Sequence, residues 1–210
     1  MEKEESQQEV WNEIAEGWDS YRQKPVPELA AILKECAESW QKGKVLEIGC
    51  GNCRNLLLFS YNNFECYGID FSRKMLEMSG NYCKKHDVDV KLKYGLATEI
   101  PFPDRSFDYV LSIAMLHHLN AEERVKALQE IKRLMKSNGR AIITVWNKLQ
   151  PRFFFSKKDI SIPWHSRKKT YQRYYHLFSS FELSRLIKKA GFKILKKNTF
   201  GRNLVFVVSR

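Results

Sequence analysis

The sequence predicts an α/β protein built on a mostly parallel, doubly wound sheet, and three observations carry that expectation. Short apolar runs alternate with helix-patterned segments through five strands between Lys44 and Trp146, the rhythm of strand–helix–strand crossovers. The first run, Val45-Leu46-Glu47-Ile48, breaks at Gly49-Cys50-Gly51 and is followed by a helix-patterned stretch, which brings bare backbone to the end of a buried strand. The chain closes on two apolar runs, Phe192–Lys197 and Leu204–Val208, joined through Phe200-Gly201-Arg202-Asn203. Two strands with no helix between them form a hairpin, so one of them runs antiparallel.

In chain order, Gln7 to Trp18 places Val10, Trp11, Ile14, Ala15 and Trp18 on one helical stripe. Pro25 and Pro27 end the connection after Tyr21-Arg22 and start a helix over Glu28–Ser39, so residues 1–40 read as an N-terminal helical cap. Strand one (Lys44–Ile48) leads through the glycine turn to a helix over Cys53–Ser60. Strand two (Phe64–Ile69) ends at Asp70, and Ser72 caps a helix reaching about Lys85. Strand three, Val88 to Tyr94, alternates apolar residues with Asp89, Lys91 and Lys93, a pattern that suits a sheet edge. Strand four, Phe107 to Ile113, runs into Ala114-Met115-Leu116-His117-His118-Leu119, where residues just past a strand line the ligand crevice of an open sheet. Asn120 with Glu123 forms a capping box for a helix to Lys136. Ser137-Asn138-Gly139 then turns into strand five, Arg140–Trp146, and Ser179 with Glu182 opens a last helix stopped at Gly191.

The 210 residues suit a single domain spanning 1–210. No apolar run approaches the ~20 residues that cross a bilayer, and the polar start is unlike a signal peptide, so the expected location is cytoplasmic. Five scattered cysteines predict reduced thiols. Cys50 and Cys53 form a Cys-x-x-Cys, but they sit inside the glycine turn without a second pair, and read as small loop residues rather than a redox or metal site. No metal ligand set is expected. A net charge of +12 points to a polyanionic partner, nucleic acid before membrane, or to a merely basic soluble protein.

The glycine turn looks like a cofactor cradle, and the acid 19 residues past Gly51, Asp70, can pair with a ribose diol. A dinucleotide fingerprint needs a third glycine at the sixth position, counting the first glycine as one; here that position is Arg54. A glycine turn and an acid without the pyrophosphate glycine suit S-adenosylmethionine. The expected cofactor wall is Glu47, Gly49, Cys50 and Gly51, then Asp70 and Phe71, Leu96 and Ala97, and Ile113. Leu96 cannot bond adenine through its side chain, so base recognition there falls to backbone and apolar contact.

Residues 148–178 differ in character. Arg152, Lys157, Lys158, Arg167, Lys168, Lys169 and Arg173 are interleaved with Phe153, Phe154, Phe155, Trp164, Tyr171, Tyr174 and Tyr175. Cations attract phosphates and aromatics stack unpaired bases; the alternative is an aromatic mini-core beneath a solvated lysine face. The charge density favours RNA.

The motif Glu47-x-Gly49-x-Gly51 with Gly68-Ile69-Asp70 resembles the class I methyltransferase signature, with Cys53 where that family usually has a third glycine. Ile14-Ala15, Tyr21-Arg22 with Lys24-Pro25, Leu116-His117-His118, Glu123-Arg124, Thr144-Val145-Trp146, Ile162-Pro163-Trp164 and Arg173-Tyr174-Tyr175-His176 narrow the resemblance. From about Val10 onward the chain resembles the tRNA wobble-uridine carboxymethyl methyltransferases. The resemblance implies a Rossmann-like, seven-stranded sheet and methyl transfer from S-adenosylmethionine to a carboxymethyl group on the wobble uridine of the tRNA anticodon loop. It implies a heterodimer with a small zinc-binding activator subunit, placed at edge strand 88–94. It also implies that Arg22 and His117 hold the acceptor, as the catalytic pair and with Arg173 as substrate contacts, and that Trp146 and Tyr174 offer stacking faces. Two other readings remain at this point: a class I methyltransferase of a small molecule, and a non-catalytic tRNA-binding scaffold.

Overall fold

The computed structural model describes residues 6–166 and 169–210; Arg167 and Lys168 of the basic segment lie outside the described residues. Helices α1 (Gln7–Ser20) and α2 (Pro27–Ser39) precede β1 (Lys44–Ile48), α3 (Leu57–Tyr61), β2 (Glu65–Asp70), α4 (Arg73–Lys85) and β3 (Val90–Tyr94). There follow β4 (Phe107–Ile113), α5 (Ala121–Leu134), β5 (Met135–Trp146), β6 (Asp159–His165), β7 (Thr170–His176), α6 (Ser180–Lys189), β8 (Lys193–Asn198) and β9 (Asn203–Ser209). The strands β3-β2-β1-β4-β5-β9-β8 form one seven-stranded sheet in that order, and β9 runs antiparallel to both of its neighbours. The expected doubly wound sheet is present, with β3 at one edge. Chain order reverses across β1 and β4, where an open sheet leaves its ligand crevice.

Strand alternation divides the core. Leu46, Ile48, Ile69, Val110 and Ile143 face α5 and α6, together with Leu128, Ile131, Leu183 and Ile187. Val45, Cys66, Tyr109, Leu111 and Ile142 face the opposite way, against Leu33 and Ala37 of α2 and Leu56 and Phe59 around α3. A third cluster joins Val10, Trp11 and Ile14 of α1 to Met75 of α4 and Tyr171 of β7. The sequence stripe on α1 is therefore buried, and the helix is pinned across the top of the molecule.

The caps follow the expected chemistry. Asn120 accepts from the Glu122 and Glu123 amides while Glu123 accepts from the Asn120 amide, a reciprocal capping box. Ser72 Oγ accepts from the Met75 amide at 3.1 Å. Ser179 accepts from the Glu182 amide, but the Glu182 carboxylate is drawn away to His176 and Lys158, so that expected box closes on one side only.

Two expectations need correction. The helix read over Cys53–Ser60 begins only at Leu57, because Cys53 sits at φ +65° and prolongs the turn. The helix read to Lys136 stops at Leu134 and β5 starts at Met135; its register to β4 jumps from Phe107–Met135 to Tyr109–Arg140, so Ser137-Asn138-Gly139 is a bulge within a strand. The basic segment, which the sequence marks only by its cations and aromatics, contains an antiparallel hairpin in which β6 and β7 pair from Asp159–His176 to His165–Thr170. Among the described residues no helix is long and apolar enough to cross a membrane, and all five cysteines are free.

Phe206 of β9 is fully buried opposite Ile143 in the face shared with α5 and α6. Phe206→Ala is expected to lower unfolding free energy by about 3–5 kcal/mol, read as a fall in the urea midpoint at unchanged slope.

Candidate active site

The turn after β1 closes on the end of β2. The Gly49 and Cys50 amides both donate to the Ile69 carbonyl at 2.9 Å. The Gly51 amide donates to Asp70 Oδ2 at 3.0 Å, and the Ser72 amide to Asp70 Oδ1 at 2.9 Å. Gly49 and Gly51 hold φ of +69° and +55°, backbone that favours glycine. A Cβ on Gly49 would meet Met115 Cγ at 2.7 Å, and one on Gly51 would meet Trp18 at 3.0 Å. The absent side chains thus admit neighbours from the β4 loop and from α1. Asp70 is buried, and burial outweighs its amide bonds to push its carboxyl up to about 6.

A cavity of about 860 Å³ opens at this point, within the size range of ligand sites. Gly49, Cys50, Gly51, Asp70, Phe71, Leu96, Ala97 and Ile113 of the expected cofactor wall all line it. Glu47 does not. Strand alternation turns its side chain toward α3, where Asn55 Nδ2 donates to its Oε1 at 2.6 Å. Glu47 is fully buried, its Oε2 has no partner, and burial pushes its carboxyl up to about 8. It therefore steadies Asn55, which does reach the cavity. Arg54 Nε and Asn55 Oδ1 are buried in the same wall without partners. A cationic donor beside an amide oxygen fits the carboxylate and ammonium of an amino-acid group, and the glycine cradle with Asp70 fits a nucleoside. The residues present match both ends of S-adenosylmethionine.

The opposite wall is aromatic and basic. Trp146 stacks on Tyr175 at 4.3 Å between centroids, and Tyr175 stacks on His117 at 5.1 Å. Arg22, Arg54, Arg152, Arg173 and Arg202 line the cavity against Asp70 and Glu123 as its only acids among the described residues. Arg22 lies over the Trp18 and Trp164 rings, and Arg152 over Trp146 at 4.7 Å. Arg173 is 5 % exposed; its Nη1 donates to Tyr175 Oη at 3.0 Å and its Nε has no partner. Among the described residues no carboxylate pairs with it. A buried cation left without a counter-charge costs stability unless a ligand supplies one.

All five sequence-derived acceptor contacts (Arg22, His117, Trp146, Arg173 and Tyr174) reach this cavity, but two act differently from expectation. His117 Nδ1 accepts the Trp146 amide at 3.1 Å, and burial holds its pKa well below the usual histidine range. It is a neutral ring whose Nε2 carries the proton, so it can donate a hydrogen bond but brings no charge. The ring stacked on Trp146 is Tyr175, not Tyr174, whose hydroxyl is bonded to Asp159. The reason is register: in β7, Tyr171, Arg173 and Tyr175 point inward together. Beside His117, the His118 Nδ1 meets the Tyr174 carbonyl at 3.0 Å, and the ring also lines the cavity. The cavity also takes in Trp18 and Arg202, which the sequence reading did not place at a site, and Arg152 and Tyr175, which it placed only in the basic and aromatic segment. The alternation of Ile160, Ile162 and Trp164, then Tyr171, Arg173 and Tyr175, was the available signal for the hairpin that carries Tyr175.

Comparison with known proteins bears on the same geometry. A family model described as a methyltransferase domain matches residues 46–143. The tRNA (carboxymethyluridine(34)-5-O)-methyltransferase of Schizosaccharomyces pombe is 30% identical over 215 residues, covering 90% of this chain and 89% of that protein. A protein of the same description from Mus musculus is 35% identical over 141 residues, 66% of this chain and 19% of its own length. Among solved structures, an S-adenosylmethionine-dependent methyltransferase from Clostridium acetobutylicum superposes with a TM-score of 0.74 at 12% identity, covering 95% of this chain and 98% of that one. A 1,6-didemethyltoxoflavin-N1-methyltransferase from Burkholderia thailandensis, bound to S-adenosylhomocysteine, gives 0.71 at 19% identity over 97% and 86%. At those identities the likeness is one of fold.

The Glu47 carboxyl generates a pH prediction. Its folded pKa of about 8 lies above the ordinary glutamate value, so the folded chain keeps a proton that the unfolded chain has released. Stability contributed by this group is present at low pH and is lost as pH rises between about 4.5 and 8. Glu47→Gln keeps the Asn55 bond without the ionisable group. The variant's urea midpoint is expected to fall less than the wild type's across that window and to be the higher of the two at its alkaline end; parallel curves would refute the assignment.

Proposed function

The chain belongs to the class I S-adenosylmethionine-dependent methyltransferases, in the family of the tRNA carboxymethyluridine methyltransferases, and from that premise we propose that it methylates the carboxylate of a carboxymethyl group on the wobble uridine of a tRNA anticodon, forming a methyl ester. S-adenosylmethionine is its methyl donor and tRNA its substrate class. The observation that carries the finer reading is Arg173, buried without a carboxylate partner beside Arg22 in an aromatic-walled cavity. Such a wall selects a planar acceptor that bears a negative charge.

When bound, S-adenosylmethionine supplies an electrophilic methyl group on a sulfonium, with a neutral thioether as leaving group. Gly49, Cys50 and Gly51 would cradle it, Asp70 would accept from its ribose hydroxyls, and Arg54 with Asn55 would take its amino-acid end. Leu96 and Ala97 would cover the base. The rest of the work falls to the acceptor wall. A carboxylate with a pKa near ~4 is already ionised at neutral pH, so no general base is required, and neutral His117 is consistent with that. Arg173 and Arg22 neutralise the acid as it leaves water and fix one oxygen toward the donor. The Trp146–Tyr175–His117 stack holds a base in plane, with His117 Nε2–H free to donate. Orientation of this kind is worth about 7–11 kcal/mol.

The activator is also part of the proposal: a small zinc-binding subunit adds a strand at β3, the edge of the sheet, where Tyr94 is part-exposed. Co-expression with such a subunit should raise both yield and turnover; full activity of the isolated chain would speak against it.

The direct test is methyl transfer in vitro with three acceptors: tRNA carrying carboxymethyluridine, the same tRNA without it, and small free acids. Nucleoside mass spectrometry should find the ester only in the first; turnover of the small acids alone would favour a small-molecule enzyme. Arg173→Met should lower turnover by about 10- to 150-fold, the worth of one charge-assisted hydrogen bond, while thermal stability holds or rises because a buried charge is gone. A loss of both together would mean a structural role only. Gly51→Ala should abolish donor binding in calorimetry, because the φ of +55° and the contact with Trp18 both oppose a Cβ.

A further inference from the structure

The two edges of the sheet both carry lysines but use them differently. On β3, Lys91 pairs with Glu65, and Lys93 donates to the Pro101 carbonyl at 2.9 Å. At the other edge, a shallow groove between α6 and β8 is lined by Arg185, Lys188, Lys193 and Lys197. Among the described residues none of these four has a carboxylate partner. The nearby acid of α6, Glu182, is taken by His176 and Lys158, and Glu35 is taken by Lys196 on the far side of β8. Phe181 stands in the same groove with 77 % of its surface exposed.

The groove and the cavity share no lining residue, but the chain itself connects them. The chain leaves β8 at Asn198, passes the exposed Phe200, and reaches Arg202, which lines the cavity. This turn is tied down from the active-site side: Asn147 Nδ2 donates to the Thr199 and Gly201 carbonyls, and Gln150 Nε2 to the Arg202 carbonyl at 2.8 Å. A strand of this length spans about 20 Å, so the unneutralised cations form a track leading away from the acceptor. Four like charges held together repel one another, and a polyanion relieves that repulsion while releasing its own counterions.

We propose that the α6–β8 groove is a second RNA contact, which grips sugar–phosphate backbone beyond the acceptor nucleotide and offers Phe181 as a stacking face for an unpaired base. The inference rests on the tRNA reading above and adds a direction to it: the RNA leaves the cavity over β8, away from β3.

The test uses the triple variant Arg185→Ala/Lys188→Ala/Lys197→Ala and, separately, Phe181→Ala, none of which touches the cavity. Wild type and variants are compared for affinity to whole tRNA over a salt series, for turnover of a short oligonucleotide carrying the acceptor, and for S-adenosylmethionine affinity as a control of folding. For the triple variant, tRNA affinity should fall about tenfold or more at low salt, and the slope of log affinity against log salt should flatten by about 2–3, close to one phosphate per cation removed. Donor affinity and turnover of the short acceptor should be unchanged. Unchanged tRNA affinity and salt slope, with an active wild type, would overturn the proposal and leave the groove to an acidic protein. Equal losses on the short acceptor would also overturn it, by moving these cations into the catalytic step. A wild type that neither binds nor methylates tRNA would sink the tRNA reading itself.

Discussion

Asp70 ties two pieces of backbone that chain direction would otherwise let part: the loop leaving β1, through the Gly51 amide, and the first turn of α4, through the Ser72 amide. These bonds sit where the order of strands reverses, so they set the shape of the crevice floor. Among the described residues no cation lies against the carboxylate; backbone amides stabilise its charge, and burial still raises its pKa to about 6. Gly49 and Gly51 are part of the same constraint, since side chains there would push back Met115 and Trp18. With the floor fixed, α1 can lie across it, and the cavity acquires a wall from a helix remote in sequence.

That wall is where stability is given up for function. Burying an arginine among rings is unfavourable unless something answers its charge; among the described residues Arg173 bonds the Tyr175 hydroxyl and, at 3.5 Å, the Pro163 carbonyl, and lies over the Trp11, Trp164 and Tyr175 rings, with no carboxylate. Arg22 and Arg152 lean on indole faces instead of carboxylates, which holds them in place by cation–π attraction without neutralising them. An apo protein stabilised for its own sake would pair these groups. In the reaction proposed above, their being left unpaired is what would select an anionic acceptor. The two histidines follow the same logic: packed beside arginines and out of water, both are held neutral, with His118 lowered to about 4.

Charge outside the cavity is organised as well. The net charge of +12 is not spread evenly over the two ends of the sheet, because carboxylates and carbonyls accompany the lysines of β3 and not those lining the α6–β8 groove. That asymmetry is what the two proposals rest on, a protein strand at one edge and a polyanion at the other.

The sequence by itself determined the sheet, the cradle and the acid opposite it. Those depend on short-range patterns: Val45 to Ile48 must be a buried strand, Gly49 and Gly51 must turn where no side chain fits, and Asp70 must end the next strand. It also set which faces are apolar, down to the stripe on α1. What it left open was decided by register and by contacts distant along the chain. Whether Glu47 lines the cavity depends on which face of β1 it occupies. Whether Tyr174 or Tyr175 meets Trp146 depends on how β7 pairs with β6, since a shift of one residue exchanges the faces of a strand. The tautomer of His117 depends on an amide 29 residues away, and its neutrality on burial. Local pattern fixes what a segment becomes; only tertiary packing decides which of its atoms meet, because burial and alternation act on partners that the sequence does not place side by side.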